Sequence, residues 1–467
     1  MTSMINMLYS SMVFWVAWII IPLMMEIIPT FFNFLILLKR KIRGEGNMEL
    51  KYMPEITLII PVYNSAETLY QCIKSVYDSN YDNKMIYIMA IDNMSTDNSF
   101  EVFCKCQRDY PELTINWMSS KQGKSKALNL ALFNSSGKYI IHVDSDGVLH
   151  PDAIRNIVAK FENNEDVYCV TGAIMTNPDR IDESKGFFRR LFLKMEFFEY
   201  CQAFLAGRNF QSEYNSMFTL SGAFSAFRKS SILKTHLYNT DTICEDTHVT
   251  FQIRDNLKEK VVLCDSAIFF VEPIENMNKL YTQRQRWQRG EMEVIHMFMR
   301  NKLDPVRGFF SNFVMRLVMF DHTFAFPRMI WYFALICLAF INYPMKLVVE
   351  SIVVIYILYV ISSFMLYLTI VLFLSRFKDL RNYYAKKWYM SFFLPIFNFI
   401  VFWFRFAGIV NSIKGVQTWK TKNFTQEKMS FKKTVKKDFK CISEILEKIR
   451  NEVNNPESDD MEGHGAE

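Results

Sequence analysis

Hydrophobic positions are unevenly distributed along this chain: long apolar stretches lie at both ends, and short apolar runs alternate with helical patterns between them. Residues 7–38 contain one acidic residue, Glu26, and no basic residue. This stretch exceeds the roughly 20 apolar residues that span a bilayer. We therefore predict an N-terminal transmembrane helix within residues 1–43. The basic residues at 39–43 place the following segment in the cytoplasm by the positive-inside rule.

Apolar character returns after residue 300. Segments 324–341 and 347–374 are separated by a short turn and predict a helical hairpin, and the basic loop 375–388 indicates a return to the cytoplasm. A fourth apolar segment, 389–410, precedes a tail that is basic over 414–450, with 11 Lys and Arg against four acidic residues. We expect that tail to be cytoplasmic, so segment 389–410 is predicted to be interfacial or re-entrant.

The middle of the chain alternates strand and helix patterns, which predicts a parallel, doubly wound sheet. The predicted strands are 56–62, 85–91, 113–117 and 139–143, and the predicted helices are 65–77, 95–110 and 124–133. Ser65 is the expected cap of the first helix. The predicted organisation is a transmembrane helix (1–43), a cytoplasmic domain (44–300), interfacial and transmembrane helices (301–411) and a basic then acidic cytoplasmic tail (412–467).

Composition agrees with a folded domain held between membrane segments. Half of the 467 residues are hydrophobic and 22% are charged, which excludes a disordered or collagen-like chain. The nine cysteines form no repeated C-x-x-C pattern, which disfavours a disulfide scaffold or a zinc module. No feature indicates a nucleic-acid partner.

Polar residues cluster directly after the predicted strands. They are Asn64 and Glu67 after the first, Asp92 after the second, and Asp144 and Asp146 after the fourth. Ligand sites of such sheets lie at the carboxyl ends of the strands. Two carboxylates in a D-x-D triplet can hold a hard divalent cation that bridges the oxygens of a diphosphate. By itself, such a triplet is more often a solvated turn, and its position at a strand end is what favours the functional interpretation.

Three further segments carry candidate chemistry. Lys124 lies in a basic turn, 121–126, that could contact a phosphate or simply be exposed. Glu245 and Asp246 precede a helical pattern, so they could act on substrate or compensate the helix N-terminus. The run from Gln283 to Trp287 contains Arg284 and Arg286 and could clamp a pyrophosphate or lie on anionic lipid.

Seven short motifs follow one another along the chain. From the N-terminus they are Pro61-Val62-Tyr63-Asn64, Asp92-Asn93-Met94-Ser95-Thr96-Asp97, Gly123-Lys124, Asp144-Ser145-Asp146, Ser221-Gly222-Ala223, Glu245-Asp246 and Gln283-x-x-Arg286-Trp287. Together they resemble the processive family 2 glycosyltransferases of membranes, such as cellulose, hyaluronan, chitin and poly-N-acetylglucosamine synthases. The resemblance covers about residues 52–300.

The resemblance implies an α/β GT-A (Rossmann-like) cytoplasmic catalytic domain inserted between transmembrane and interfacial α-helices. It implies a UDP-sugar donor, Mg²⁺ or Mn²⁺ as cofactor, and a growing polysaccharide as acceptor. Carried over residue by residue, it assigns Asp246, beside Glu245, as the catalytic base. Asp144 and Asp146 would bind the metal. The remaining donor-site positions would be Pro61, Tyr63, Asn64, Glu67, Asp92, Lys124, Asp144, Gln283, Arg286 and Trp287.

The sequence departs from relatives at two positions. Cys244 replaces the Thr often found before Glu-Asp in cellulose synthases, and Asn93 replaces a common second Asp. Segment 417–422 is similar to a cytoplasmic gating loop of some relatives. The expected location is the plasma membrane, in a multi-pass arrangement in contact with membrane lipids. Whether accessory subunits bind to the protein is left open by the sequence.

Three functional interpretations follow from these patterns. The leading one is a synthase that extends a β-linked cell-surface or extracellular polysaccharide and helps move it across the membrane. The alternative is a non-processive enzyme that transfers one sugar to a lipid carrier such as polyprenyl phosphate or diacylglycerol. A catalytically dead membrane scaffold is disfavoured because every expected acid is present.

Overall fold

The structure is a computed structural model that describes residues 27–43, 50–299, 325–341, 344–413 and 424–429. The chain divides into two units. The first comprises Met1–Ile274 and Arg284–Val416, and the second comprises Glu275–Gln283 and Gln417–Glu467. The first part of the predicted span 7–38, up to residue 26, lies outside the described residues, as do the motif at 417–422 and most of the tail.

An eight-stranded sheet forms the centre of the first unit. Its strands are β1 (Ile56–Val62), β2 (Ile86–Asp92), β3 (Thr114–Ser119), β4 (Tyr139–Val143), β5 (Gly147–Leu149), β6 (Val167–Thr176), β7 (Phe224–Arg228) and β8 (Lys260–Val271). Their order is β3-β2-β1-β4-β7-β6-β8-β5. The four predicted strands are therefore confirmed.

The prediction of a wholly parallel sheet is wrong. Strands β3, β2, β1 and β4 are parallel, but β7 pairs antiparallel with both β4 and β6, and β5 pairs antiparallel with β8. Strands covered on both faces are continuous apolar runs in either direction, so the hydrophobic pattern does not reveal their orientation. The antiparallel pairing places the residues before β7 beside the carboxyl end of β4.

Helices flank this sheet and extend beyond it. They are α1 (Ile28–Arg43), α2 (Leu69–Tyr77), α3 (Ser99–Asp109), α4 (Lys124–Asn134), α5 (Ala153–Glu162), α6 (Pro178–Glu183), α7 (Phe187–Tyr200), α8 (Arg208–Glu213), α9 (Lys229–Ile232), α10 (Glu245–Phe251), α11 (Met277–Met299), α12 (Ala325–Phe340), α13 (Met345–Phe373), α14 (Lys378–Ala385) and α15 (Met390–Ile413). Helices α7 and α8 are joined by a π-helical segment, Cys201–Gly207. The core is apolar and includes Leu58, Ile73 and Ile88.

Helix α2 begins four residues later than predicted. Ser65 does not cap it by its side chain, since its hydroxyl lies 2.7 Å from that of Ser145. The turn after β1 is instead bonded to the turn after β2: Asn64 Oδ1 accepts from the Thr96 amide at 2.8 Å, and Asp97 Oδ2 accepts from the Ala66 amide at 2.9 Å. Polar side chains that bond to distant backbone compete with the local helix.

The helices after residue 325 match the predicted apolar segments. Two stretches, Met345–Arg376 and Met390–Ser412, are long and apolar enough to cross a membrane, judged by length and composition. Helix α13 packs against α1 and α15, and α15 packs against α7. An interfacial position for 389–410 and a multi-pass topology stay predictions.

The second unit has its own internal contacts. Tyr281 donates a hydrogen bond to Glu427, and its ring centroid lies 5.5 Å from that of Phe424. Thr425 Oγ1 donates to Asn278 Oδ1 at 3.1 Å. The start of α11 therefore contacts the short helical stretch at 424–429 within this unit.

Candidate active site

The turn after β1 contributes backbone geometry and one open aromatic side chain. Asn64 adopts a left-handed conformation, with φ at +50°, which an Asn tolerates better than most residues. Tyr63 is 51% exposed, and Glu67 is exposed as well. Pro61 belongs to β1 itself. Of these predicted donor-site residues, Tyr63, Asn64 and Glu67 are exposed and thus accessible to a ligand.

The turn after β2 fixes the start of helix α4. Asp92 is the last residue of β2, and its Oδ1 accepts from the Ser95 amide at 3.0 Å. Asn93 Oδ1 accepts from the Gly123 amide at 2.6 Å. Gly123 has φ at +130°, a conformation that favours glycine, and it immediately precedes α4. This turn therefore determines where Lys124, the first residue of α4, is placed.

Lys124 joins residues from three separate parts of the sequence. Its Nζ lies 2.5 Å from Asp144 Oδ1, 3.3 Å from the Gly222 carbonyl oxygen and 3.8 Å from Glu245 Oε1. Burial alone would lower the pKa of this ammonium, but the carboxylates of Asp144 and Glu245 raise it above its ordinary value. Lys124 is therefore a fixed positive charge at the carboxyl end of β4.

Asp144 and Asp146 follow β4 directly, as predicted. Burial raises the pKa of Asp146 to about 6, and the negative charge of Asp144 raises it further in the same direction. Asp146 is still accessible to solvent, so screening limits the energy that this shift represents. Two like charges at this edge suit a cation placed between them and a ligand.

The carboxylates fit a divalent cation only as a partial ligand set. Within the described parts of the chain, no group of three His, Cys, Asp or Glu side chains comes together as a metal site. Mg²⁺ in proteins is commonly held by one or two carboxylates, with substrate phosphates and water as the other ligands. The arrangement fits that kind of site, in which the donor completes the coordination.

Glu245 and Asp246 begin helix α10. Glu245 is buried, and burial raises its pKa, although the charge of Lys124 opposes the shift. Asp246 is partly exposed, and its Oδ2 accepts from the Gly222 amide at 3.2 Å. A Cβ on Gly222 would lie 3.1 Å from that oxygen, so the glycine allows the close approach. Asp246 is thus oriented and also open to a ligand.

Helix α11 lies against the start of α10. A Cβ on Gly290 would come within 2.1 Å of Cys244 Sγ, which shows how closely the two segments pack. Arg286, one turn before Gly290, is exposed, and its positive charge acts on the thiol of Cys244. This packing places Arg286 on the side of α11 that faces α10.

Trp287 and Arg284 have structural contacts. The Arg284 guanidinium lies 4.4 Å from the centroid of the Trp287 ring, and it is fully buried in an ion pair with Glu199. Trp287 also packs edge-to-face on Phe204 at 5.9 Å. Gln283 belongs to the other unit of the chain, so its participation in the site stays a prediction.

Sequence reasoning missed two residues behind the site. Thr171 on β6 accepts a hydrogen bond from the Ser221 amide at 3.0 Å, and Arg208 donates to the same hydroxyl at 3.1 Å. Both side chains are buried. Arg208 is the first residue of α8, and no local pattern in the sequence marks its side chain as buried.

Comparison with known proteins agrees with this geometry. Residues 57–235 match the family model described as Glycosyl transferase family 2. The poly-beta-1,6-N-acetyl-D-glucosamine synthase of Staphylococcus aureus (strain COL) is 25% identical over 300 residues, which are 62% of this chain and 66% of that protein. The same-named protein of Staphylococcus epidermidis is 27% identical over 240 residues, 51% of this chain and 55% of that protein.

A solved structure shows the same fold. It is a mannosyltransferase from Pyrobaculum calidifontis, in complex with GDP-Man and Mn²⁺, with a TM-score of 0.52 and 15% identity over 86% of this chain and 97% of that chain. The resemblance to family 2 and the GT-A-like fold predicted from sequence are confirmed. The chain matches 66% of the length of the first of these curated relatives and 55% of the length of the second, less than two thirds in both cases.

Proposed function

We propose that this protein, whose residues 57–235 match the model of glycosyl transferase family 2, is an inverting glycosyltransferase that extends a polysaccharide from a UDP-sugar at a membrane. The main observation behind this proposal is that residues from three parts of the sequence meet at Lys124. Through its contacts with Asp144 and the Gly222 carbonyl, this lysine brings the end of β4 next to the residues that hold Asp246.

Asp246 is the base of the proposed reaction. An acceptor hydroxyl attacks the anomeric carbon of the donor sugar from the face opposite the diphosphate, and its proton passes to Asp246. The new carbon–oxygen bond forms as the bond to the diphosphate breaks, and the electron pair leaves with the diphosphate. Direct attack inverts the anomeric centre, and a positioned base typically contributes about 10²–10⁴-fold to the rate.

The positive charges near the base act on the leaving group. Lys124 is held at the edge where the diphosphate would lie, and Arg286 is exposed on the neighbouring helix. Preorganised cations that face developing charge lower the barrier without reorganisation during the reaction. Asp144 and Asp146 would hold Mg²⁺ or Mn²⁺, which when bound supplies further charge stabilisation to the diphosphate.

Donor recognition is proposed for the turns after β1 and β2. Asp92 would contact the uridine, and Tyr63 offers an exposed aromatic face beside it. Pro61, Asn64 and Glu67 complete this side through the backbone shape of the turn and an exposed carboxylate. Gln283 and Trp287 stay proposed contacts for the pyrophosphate and the acceptor end.

A polysaccharide acceptor is favoured over a lipid carrier because the curated relatives are polysaccharide synthases. The helices α13 and α15 pack with the domain that carries the site, and they support a membrane location for the reaction. We propose that the domain is cytoplasmic and that the helices help the polymer cross. Transfer of a single sugar to a lipid would release a product of fixed size instead.

The test uses the purified full-length protein in detergent with each radiolabelled UDP-sugar and Mn²⁺. Products are sized on gels and digested with specific glycosidases, and a ladder of polymer lengths is expected with one sugar. The matched variant Asp246→Asn should lower transfer by about 10²–10⁴-fold while UDP affinity stays within twofold. Near wild-type polymer yield from that variant would remove Asp246 as the base, and a single extractable lipid product would favour the alternative acceptor.

A further inference from the structure

The segment Ser221–Gly222–Ala223 holds several parts of the site together. Its Gly222 amide donates to Asp246 Oδ2 at 3.2 Å, and the Gly222 carbonyl accepts from Lys124 at 3.3 Å. The Ala223 carbonyl accepts from the Asp144 amide at 3.0 Å. A displacement of this segment would therefore move the base and the lysine at the same time.

Thr171 anchors this segment from the interior. Its side chain is fully buried on β6, and its Oγ1 accepts from the Ser221 amide at 3.0 Å and from Arg208 Nη1 at 3.1 Å. The hydroxyl proton is directed to the carbonyls of Gly172 and Phe224, at 3.4 and 3.5 Å. A threonine hydroxyl has two acceptor positions and one donor, so these contacts use its whole capacity.

Arg208 is an unusual companion for a buried hydroxyl. It is 5% exposed, and its guanidinium lies 4.6 Å from the centroid of the Phe204 ring. Burial lowers the pKa of Arg208 to about 10, and the negative charge of Asp246 opposes that shift. Burying a cation is costly unless an opposite charge compensates it. The negative charge of Asp246 offsets part of this cost, which couples the arginine electrostatically to the proposed base.

Arg208 follows the π-helical segment directly, and that segment is held by α1. The buried Asn33 of α1 donates from Nδ2 to the Ala206 carbonyl at 3.2 Å. Asn209 in turn donates to Asn33 Oδ1 at 3.4 Å. A π-helical segment changes the register of a helix and is frequent at functional sites. Here its carbonyl is satisfied by a residue from the N-terminal apolar helix.

We propose that Thr171 and Arg208 are positioning residues for Asp246. We call these two residues the buried anchor, and we propose that Asn33 connects it to helix α1. The inference rests on the proposed role of Asp246 as base. It extends that role by naming a set of hydrogen bonds, linked through neighbouring backbone residues, that leads from an apolar flanking helix to the base. Helix α13, a candidate membrane span, packs against both α1 and the π-helical segment and supports the same anchor.

The first test compares Thr171→Val with Thr171→Ser. Valine keeps the shape but removes the hydroxyl, whereas serine keeps the hydroxyl. We expect Thr171→Val to lower kcat at least about tenfold, the effect of one lost hydrogen bond to a buried amide, with KM for the UDP-sugar changed less than twofold. Thr171→Ser should stay within threefold of wild type. Equal kcat values for the two variants would overturn the proposal.

A second readout does not depend on catalysis. Amide hydrogen exchange of the substrate-free full-length protein in detergent should become at least about tenfold faster at residues 221–223 in Thr171→Val, but not in Thr171→Ser. If the wild type transfers no sugar but this contrast appears, the proposed function fails and the anchor stands. If transfer is present and exchange does not differ, the anchor fails alone.

The link to α1 is tested by Asn33→Leu, with the exposed neighbour Phe32→Leu as control. Asn33→Leu should accelerate exchange at 201–213 and also at 221–223, and the control should change neither. Unchanged exchange at 221–223 would remove Asn33 from the anchor. If Thr171→Val does not fold, Arg208→Met against Arg208→Lys makes the same comparison, and equal exchange at 221–223 in that pair would overturn the proposal.

Discussion

Gly290 of α11 and Cys244, the residue before α10, lie so close that a Cβ on the glycine would meet the cysteine Sγ at 2.1 Å and its Cβ at 2.8 Å. Real Cβ atoms essentially never make contacts this short. Because the Cβ of each residue is fixed to its backbone, the clash could not be relieved by turning a flexible side chain. The close approach therefore depends on glycine at 290, and it sets the distance between Arg286 and the Glu245–Asp246 pair.

We expect Gly290→Ala to separate the two segments and to lower both transfer and stability. Overpacking a buried contact typically costs about 1–3 kcal/mol, and displacement of Arg286 should lower kcat by at least about tenfold. The double variant Gly290→Ala/Cys244→Ala removes the Sγ contact and should recover part of both losses. Wild-type kcat and Tm in the single variant would show that α11 can shift without affecting the site.

A divalent cation should be required for donor binding. Asp146→Ala should remove the metal-dependent part of UDP-sugar affinity, because the diphosphate would then face Asp144 with less compensating charge. Titration calorimetry with and without Mn²⁺ measures the effect. The exposed acid Asp179, which lies outside the site, offers the control Asp179→Ala. Full activity in excess EDTA would contradict the metal assignment.

Glu196 should make the stability depend on pH. It is fully buried beside the Arg284–Glu199 ion pair, and burial raises its pKa to about 7, although Arg284 opposes the shift. A carboxyl whose pKa is higher in the folded protein stabilises the fold below its ordinary pKa of 4.5, and this contribution is lost as the pH rises through 7.

Glu196→Gln should therefore resemble wild type near pH 4 and exceed its free energy of unfolding at pH 8 by up to about 3 kcal/mol. Urea denaturation at pH 4, 6 and 8 measures the trend. The exposed control Glu183→Gln should change stability by less than about 0.5 kcal/mol at every pH. A constant difference between Glu196→Gln and wild type across this range would contradict the assignment.

The basic tail should be cytoplasmic. Cys441 lies in that tail, so an impermeant thiol reagent should label it only after the cells are permeabilised. Cys337 on α12 is exposed, and Cys337→Ser removes the background it would contribute. Labelling of Cys441 in intact cells would place the tail outside and would show that 389–410 crosses the bilayer.

Within the described residues, the four strands of the parallel half of the sheet and the acids at their ends were readable from sequence alone. Period and apolar runs are local properties, and the carboxyl ends of parallel strands meet at one edge. Asp92, Asp144 and Asp146 therefore stood out before any coordinates. The order of the motifs also sufficed to reveal the resemblance to family 2, because several weak signals in one order are rarely accidental.

The tertiary structure alone decided how these residues meet. The antiparallel entry of β7 places Gly222 between Lys124 and Asp246, and no local pattern encodes the direction of a strand that is buried on both faces. The hydrogen bond between Asn209 and Asn33 joins residues 176 positions apart in sequence, and the one between Arg208 and Thr171 joins residues 37 positions apart. Long-range hydrogen bonds of this kind follow from packing, and single side chains in an apolar segment give no sign of them beforehand.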